Sequence, residues 1–338
     1  MKKIVELPLL EPMYSAYHNQ SPGTAIIIEN ESIRNWYLNN SMILHCNRMF
    51  LRGLTTPELD VKDVSWIYNP HLEKQRYEMK YLKEHIHAVI FNLLDDGYYV
   101  FFDGIDDYYV EGKCWYKEKH SYHDGLICGY NDAEKTYCIY AYDSNWVYQK
   151  FWTPIESFEA GRRSMFEEGK YGFICGIKPL SDIVQFSAET ALNNICEYLD
   201  SDKERYPEDV DGPAFGIIVH EYLVQYLGKL LDESIPYNRK DRRIFRVIWE
   251  HKKAMWERIV CIEKELNMDS EISDKYKKVV NVSNDIRMLY ASYTLRRKDT
   301  LLEIIQDKLN LLNDMEKRLL NELIIKTKDI QYTNSIIH

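Results

Sequence analysis

The chain carries no CxxC pair, no GxxxxGK run, no strand followed by GxGxxG and no HExxH. Those absences remove a zinc knuckle, a glycine-rich phosphate loop and the zinc-protease helix. His220-Glu221 begins the last of these, but Val224 stands where the second histidine would fall. Positive charge is also short. With 43 Lys and Arg against 53 Asp and Glu the net charge is −10, which argues against nucleic acid, whose phosphates need a basic surface. Cationic or amine-bearing substrates stay open. No apolar run approaches the roughly 20 residues of a membrane span. The start from Met1 meets Glu6 and Pro8 too soon for a signal peptide, so a cytoplasmic protein with no membrane contact is expected. Seven cysteines, Cys46, Cys114, Cys128, Cys138, Cys175, Cys196 and Cys261, are odd in number and scattered. No disulfide framework follows; most are read as small buried hydrophobes, with at most one chemically active.

What is present is ordinary globular material. The 338 residues are 45% apolar and 28% charged, enough for two domains. The first half reads as mixed α/β. Thr24 to Glu29 is a strand candidate, and Asn39-Asn40-Ser41 offers capping side chains for a helix beginning at Met42-Ile43-Leu44. Apolar residues from Glu73 to about Leu94 recur at helical spacing, and Asp95-Asp96-Gly97 stops that helix. Tyr98 to Phe102, Tyr108 to Val110 and Tyr171 to Ile177 read as strands, with the acidic stretch Asp103 to Asp107 between the first two read as a solvated turn. The boundary falls at Gly176 to Ser181. Beyond it there is no strand signal, and helices are expected near 182–199, 214–231, 241–266, 282–297 and 300–326. Ile305, Leu309, Leu312, Leu319 and Leu323 form a narrow stripe that suits bundle packing and would also allow a homodimer.

The richest stretch is HSYHDGLICGYNDAEKTYCIYAYDSN, residues 120 to 145. It reads as a hairpin turning at Asn131 to Lys135. Pairing Tyr130 with Thr136 sets His123 opposite Asp143, where directly opposed Cβ atoms are about 4.5–5.5 Å apart. A slip of two residues offers Asn145 instead. An imidazole steered by an Asp or Asn on the next strand is one half of a cysteine-nucleophile site: the acceptor fixes the tautomer and leaves the other nitrogen free for the thiol proton. A pair of surface residues fits the same spacing. No cofactor or metal is expected, because strand alternation sets His120 and His123 on opposite faces. His85 and His87 do not converge, and the 27 tyrosines are read as strand packing.

The order Gly97-Tyr98-Tyr99-Val100, Asp106-Asp107-Tyr108-Tyr109-Val110, His120 to Asp132 and Tyr140-Ala141-Tyr142-Asp143 resembles the N-terminal domain of the butirosin biosynthesis protein H family, itself similar to papain-like, bacteriocin-processing cysteine peptidases. The helical half resembles that family's C-terminal extension, less specifically. The resemblance implies an α+β fold, with a papain-like cysteine peptidase-type domain over 1–178 and an all-helical domain over 179–338. It implies a cysteine-type acyltransferase of antibiotic or other secondary-metabolite biosynthesis, moving an acyl group from an acyl carrier protein thioester to an amine. His123 would be the base and Asp143 its orienting acid. In such folds the cysteine opens a helix, where amides and dipole favour thiolate. Here the residues at the expected helix start are Asn39-Asn40-Ser41, and the nearest thiol is Cys46, more than a turn further on. Cys46 is therefore the candidate nucleophile, Ser41 its substitute, and an amide near Asn40-Ser41 the oxyanion donor. A non-catalytic relative kept as a binding or partner protein, and a thioester or amide hydrolase, are the alternatives.

Overall fold

The structure, a computed structural model, describes residues 3–26, 31–181, 183–200 and 212–337. Its strands in chain order are β1 (Ile4–Glu6), β2 (Leu44–Asn47), β3 (Asp60–Val61), β4 (Leu72–Glu78), β5 (Tyr99–Asp106), β6 (Tyr122–Asn131), β7 (Thr136–Tyr142), β8 (Tyr148–Pro154), β9 (Phe173–Pro179) and β10 (Pro213–Phe215). Its helices are α1 (Ser21–Ala25), α2 (Glu31–Asn40), α3 (Met79–Leu82), α4 (Ile86–Asp95), α5 (Ile155–Glu167), α6 (Ala188–Asp200), α7 (Val219–Leu231), α8 (Ile244–Glu265), α9 (Glu271–Arg296) and α10 (Thr300–Ile337). They divide into two compact units, residues 1–34 with 65–184 and residues 35–64 with 185–338. The chain is thus mixed α/β with an antiparallel sheet and a helical C-terminal region. Residues 35–64, expected with the first domain, group with the helices because β2 pairs with β10, Cys46 opposite Ala214. That pairing also supplies a strand in the half that showed no strand signal. No helix among the described residues is long and apolar enough to cross a membrane.

The first unit is built on an antiparallel sheet in the order β4-β9-β5-β6-β7-β8, with β1 lying along β6. Val100, Phe102, Ile105, Ile127, Ile139 and Ala141 turn one face of it onto Ile86, Ile90 and Leu93 of α4 and Phe158 and Met165 of α5. Gly161 decides how closely α5 can approach: a Cβ there would stand 2.6 Å from Ile105 and 2.8 Å from the Asp106 carbonyl. The helix expected from Glu73 begins only at Met79, because Leu72–Glu78 is paired along its whole length with β9. A neighbouring ladder overrides local spacing. The stop at Gly97 holds: its φ is +82°, the left-handed value that favours glycine. Tyr108 to Val110 is not a strand but two overlapping turns, Tyr109 N donating to Asp106 O and Val110 N to Asp107 O. Of the strand expected over Thr24 to Glu29, Thr24 and Ala25 belong to α1, and residues 27–29 lie outside the described residues.

In the second unit Asn39-Asn40-Ser41 closes a helix instead of opening one. Carbonyls at a helix end run short of intrahelical donors, and Arg258 of α8, fully buried, reaches those at and just beyond the end of α2: its Nη2 donates to Tyr37 O at 3.1 Å and Ser41 O at 2.9 Å, and its Nε to Leu38 O. A cation at that end also complements the helix dipole. Ile305, Leu309, Leu312, Leu319 and Leu323 are all buried within the chain's own bundle, so the stripe offers no seam for a second copy. Deep in the same bundle Glu316 accepts from Lys252 at 2.7 Å and from Tyr198 at 3.1 Å, and Tyr276 takes its other oxygen. Each charge is paired, as burial requires. Replacing Arg258 with Met removes three donated hydrogen bonds from that helix end, and unfolding in urea should show a loss of about 3 kcal/mol or more. A loss under about 1 kcal/mol would mean that the α2 carbonyls are served by other donors.

Candidate active site

Where β5 ends, two consecutive carboxylates take two different histidines. Ile105 pairs with His123 and Asp106 with Tyr122, and Asp107 N continues the ladder to Ser121 O at 2.8 Å. In that register Asp107 is the diagonal neighbour of His123, and Asp106 that of His120, both within reach of an imidazole. Both contacts form: His123 Nδ1 lies 2.7 Å from Asp107 Oδ2, and His120 Nδ1 lies 2.7 Å from Asp106 Oδ2. Asp106 is held further by Ser164 Oγ of α5 at 2.7 Å, and His120 stacks on Tyr108.

Asp107 is the more constrained of the two. Its side chain is wholly buried, and Lys113, equally buried, sets its Nζ 2.7 Å from Oδ1. Lys113 is brought there by the tight turns after β5 and by its backbone bridge to Asp143. Burial alone pushes the Asp107 carboxyl up, but the Lys113 ammonium and His123 outweigh it and hold the carboxyl below the usual carboxylate range. An ionised acceptor at Nδ1 leaves Nε2 of the half-buried His123 as the nitrogen free to exchange a proton. Beside it stands His18, whose ring centroid is 5.4 Å from that of His123. His18 Nδ1 meets Asp124 O at 2.7 Å, which makes Nδ1 the donor. Tyr142 and Tyr148 pack against its ring, and Tyr148 OH bonds Ser21 Oγ. Burial, with the nearby Lys113 charge, lowers the His18 pKa to about 3.

Of the other residues expected at the site, Asp143 and Asn145 serve a turn of the first unit, and Cys46, Ser41 and Asn40 belong to the second. Asp143 is not opposite His123, because β6 and β7 pair only as far as Leu126 and Tyr140. The Asp143 carboxylate closes its own turn, accepting from Asn145 N at 2.8 Å, Val147 N at 2.9 Å and Gln149 Nε2. Asn145 is exposed in that turn. Cys46 opens no helix: it lies in β2 of the second unit, fully buried, and burial pushes its thiol up to about 12 against the weaker pull of Arg48. Ser41 is buried with Oγ donating to Asp63 O at 3.2 Å, and its N–H is taken by Tyr37 O. Asn40 turns its amide back onto Trp36 O. Neither supplies an oxyanion donor, since a helix end presents carbonyls where a helix start presents amides.

The carboxylates of the stretch read as a solvated turn are the ones that matter. Lys113, His18 and Cys114 went unread as well. Cys114 Sγ donates to Asp107 Oδ2 at 3.6 Å, and burial pushes this thiol up to about 12. Among the described residues Asp107, Cys114 and His123 bring their donor atoms within 4.8 Å of one another. They suit a metal poorly, because the Lys113 ammonium already neutralises the shared carboxylate and would repel a dication.

Compared with known proteins, the chain matches no family model and no curated protein.

His18 gives the site a pH signature. Its folded pKa is about 3 against 6.5 for an ordinary histidine, so the unfolded chain takes up this proton first. The stability it lends is complete above pH 6.5 and drains away as the pH falls towards 3. Denaturant titrations across that range should show wild type losing stability relative to His18→Gln as the pH falls. A difference independent of pH would mean that the ring is solvated and titrates normally.

Proposed function

We propose that the first unit is a papain-like domain, similar to that of the butirosin biosynthesis protein H family, that transfers an acyl group from a carrier-bound thioester to an amine with His123 as general base and no covalent cysteine intermediate. The observation that carries the reading is the His123–Asp107–Lys113 cluster, whose buried ionised carboxylate engages Nδ1 and leaves Nε2 to exchange the proton. The amine nitrogen attacks the thioester carbonyl carbon while His123 Nε2 takes a proton from it. As the C–S bond breaks, that proton passes to the departing sulfur, leaving an amide and a free thiol. Cys46 and Cys114 take no part, because burial holds both thiols protonated at neutral pH.

The same buried thiols favour a second reading, a binding protein that keeps the fold without turnover. An acyl thioester of N-acetylcysteamine and a primary amine separate the two. The full chain should form amide above background, His123→Gln should cut the rate by about 10²-fold or more, and Cys46→Ser and Cys114→Ser should leave it within a few fold. Loss of turnover in Cys46→Ser would restore the thiol mechanism. Absence of turnover in wild type, with thioester binding retained, would establish the binding protein.

A further inference from the structure

We propose that Cys128 and Cys138 are a reversible oxidation site, closed into a disulfide by exchange with a small-molecule disulfide. The two thiols face each other across the β6–β7 ladder with their sulfurs 3.5 Å apart. They meet at the register shift between Ile127 and Gly129, where Cys128 is the extra residue and Gly129 is the partner of Cys138. In a bulge two residues stand opposite one on the partner strand, and a bond needs the sulfurs to close from 3.5 Å to about 2.05 Å. Side-chain rotation covers that movement. Both thiols are buried, Cys128 at 0% and Cys138 at 1% exposed, outside the cluster that the sheet forms with α4 and α5, so exchange needs the strands to open locally. The charged groups acting on the thiols are the Lys150–Glu6 ion pair.

The hydrogen bonding sets the order of events. Cys128 Sγ donates to Cys138 Sγ and to Cys138 O, both at 3.5 Å. That donated hydrogen bond lowers the Cys138 thiol, which makes Cys138 the attacking thiolate. It displaces one thiolate from the incoming disulfide and forms a mixed disulfide. Cys128 then gives up its proton and attacks the Cys138 sulfur, releasing the second thiol. The chain loses two hydrogens and the reagent gains them.

The test uses the reduced full chain and oxidised glutathione, followed by denaturation, alkylation and peptide mapping. Two of the seven cysteines should escape alkylation, the linked peptides should join Cys128 to Cys138, and dithiothreitol should return all seven to reactivity. Cys128→Ser should stop at a glutathione adduct on Cys138. Alkylation of all seven cysteines after exposure, or a bridge between any other pair, would overturn the proposal. The wild-type map decides the matter without a variant that has to fold.

Discussion

A buried carboxylate must have its charge answered, and the answer given to Asp107 organises the candidate site. Lys113 occupies one oxygen and His123 the other, so the carboxylate stays ionised although water is excluded. Because Lys113 supplies the cation, the carboxylate keeps a charge partner that does not depend on His123. The same clamp ties together three segments that are distant in sequence: the turns after β5, the start of β6 and the turn at Asp143, whose backbone bridges Lys113. The imidazole is therefore positioned by the fold and not by one hairpin.

The adjacent acid, Asp106, repeats the arrangement with a different histidine and a different consequence. Its carboxylate receives His120, the Ser164 hydroxyl and the backbone N–H groups of Tyr108 and Ser121. Close approach of α5, which Gly161 allows, brings Ser164 within reach. One acid joins helix to sheet and its neighbour holds His123.

The hairpin at residues 122–142 and the helices of the second half were legible because their signals are local: alternation, turn residues and a long apolar stripe. His123 was legible as a candidate site residue for the same reason. Its partner was not. The chain runs from Asp107 to Ser121 through turns, and only the β5–β6 register shows Asp107 and His123 to be diagonal neighbours. The choice of Asp143 assumed that the β6–β7 ladder continues to His123, whereas it ends at Leu126 and Tyr140. The region around Cys46 was misread for a related reason. Asn39-Asn40-Ser41 has capping side chains, but the arginine that ends α2 lies more than 200 residues away, and the strand holding Cys46 is completed by Pro213–Phe215.

The central claim is that Asp107, and not Asp143, fixes His123. Ring ¹⁵N chemical shifts of His123, which report its tautomer, test it directly in wild type, Asp107→Asn and Asp143→Asn. The account predicts that Asp107→Asn changes the His123 tautomer balance while Asp143→Asn leaves it as in wild type. A tautomer balance moved by Asp143→Asn and untouched by Asp107→Asn would contradict it.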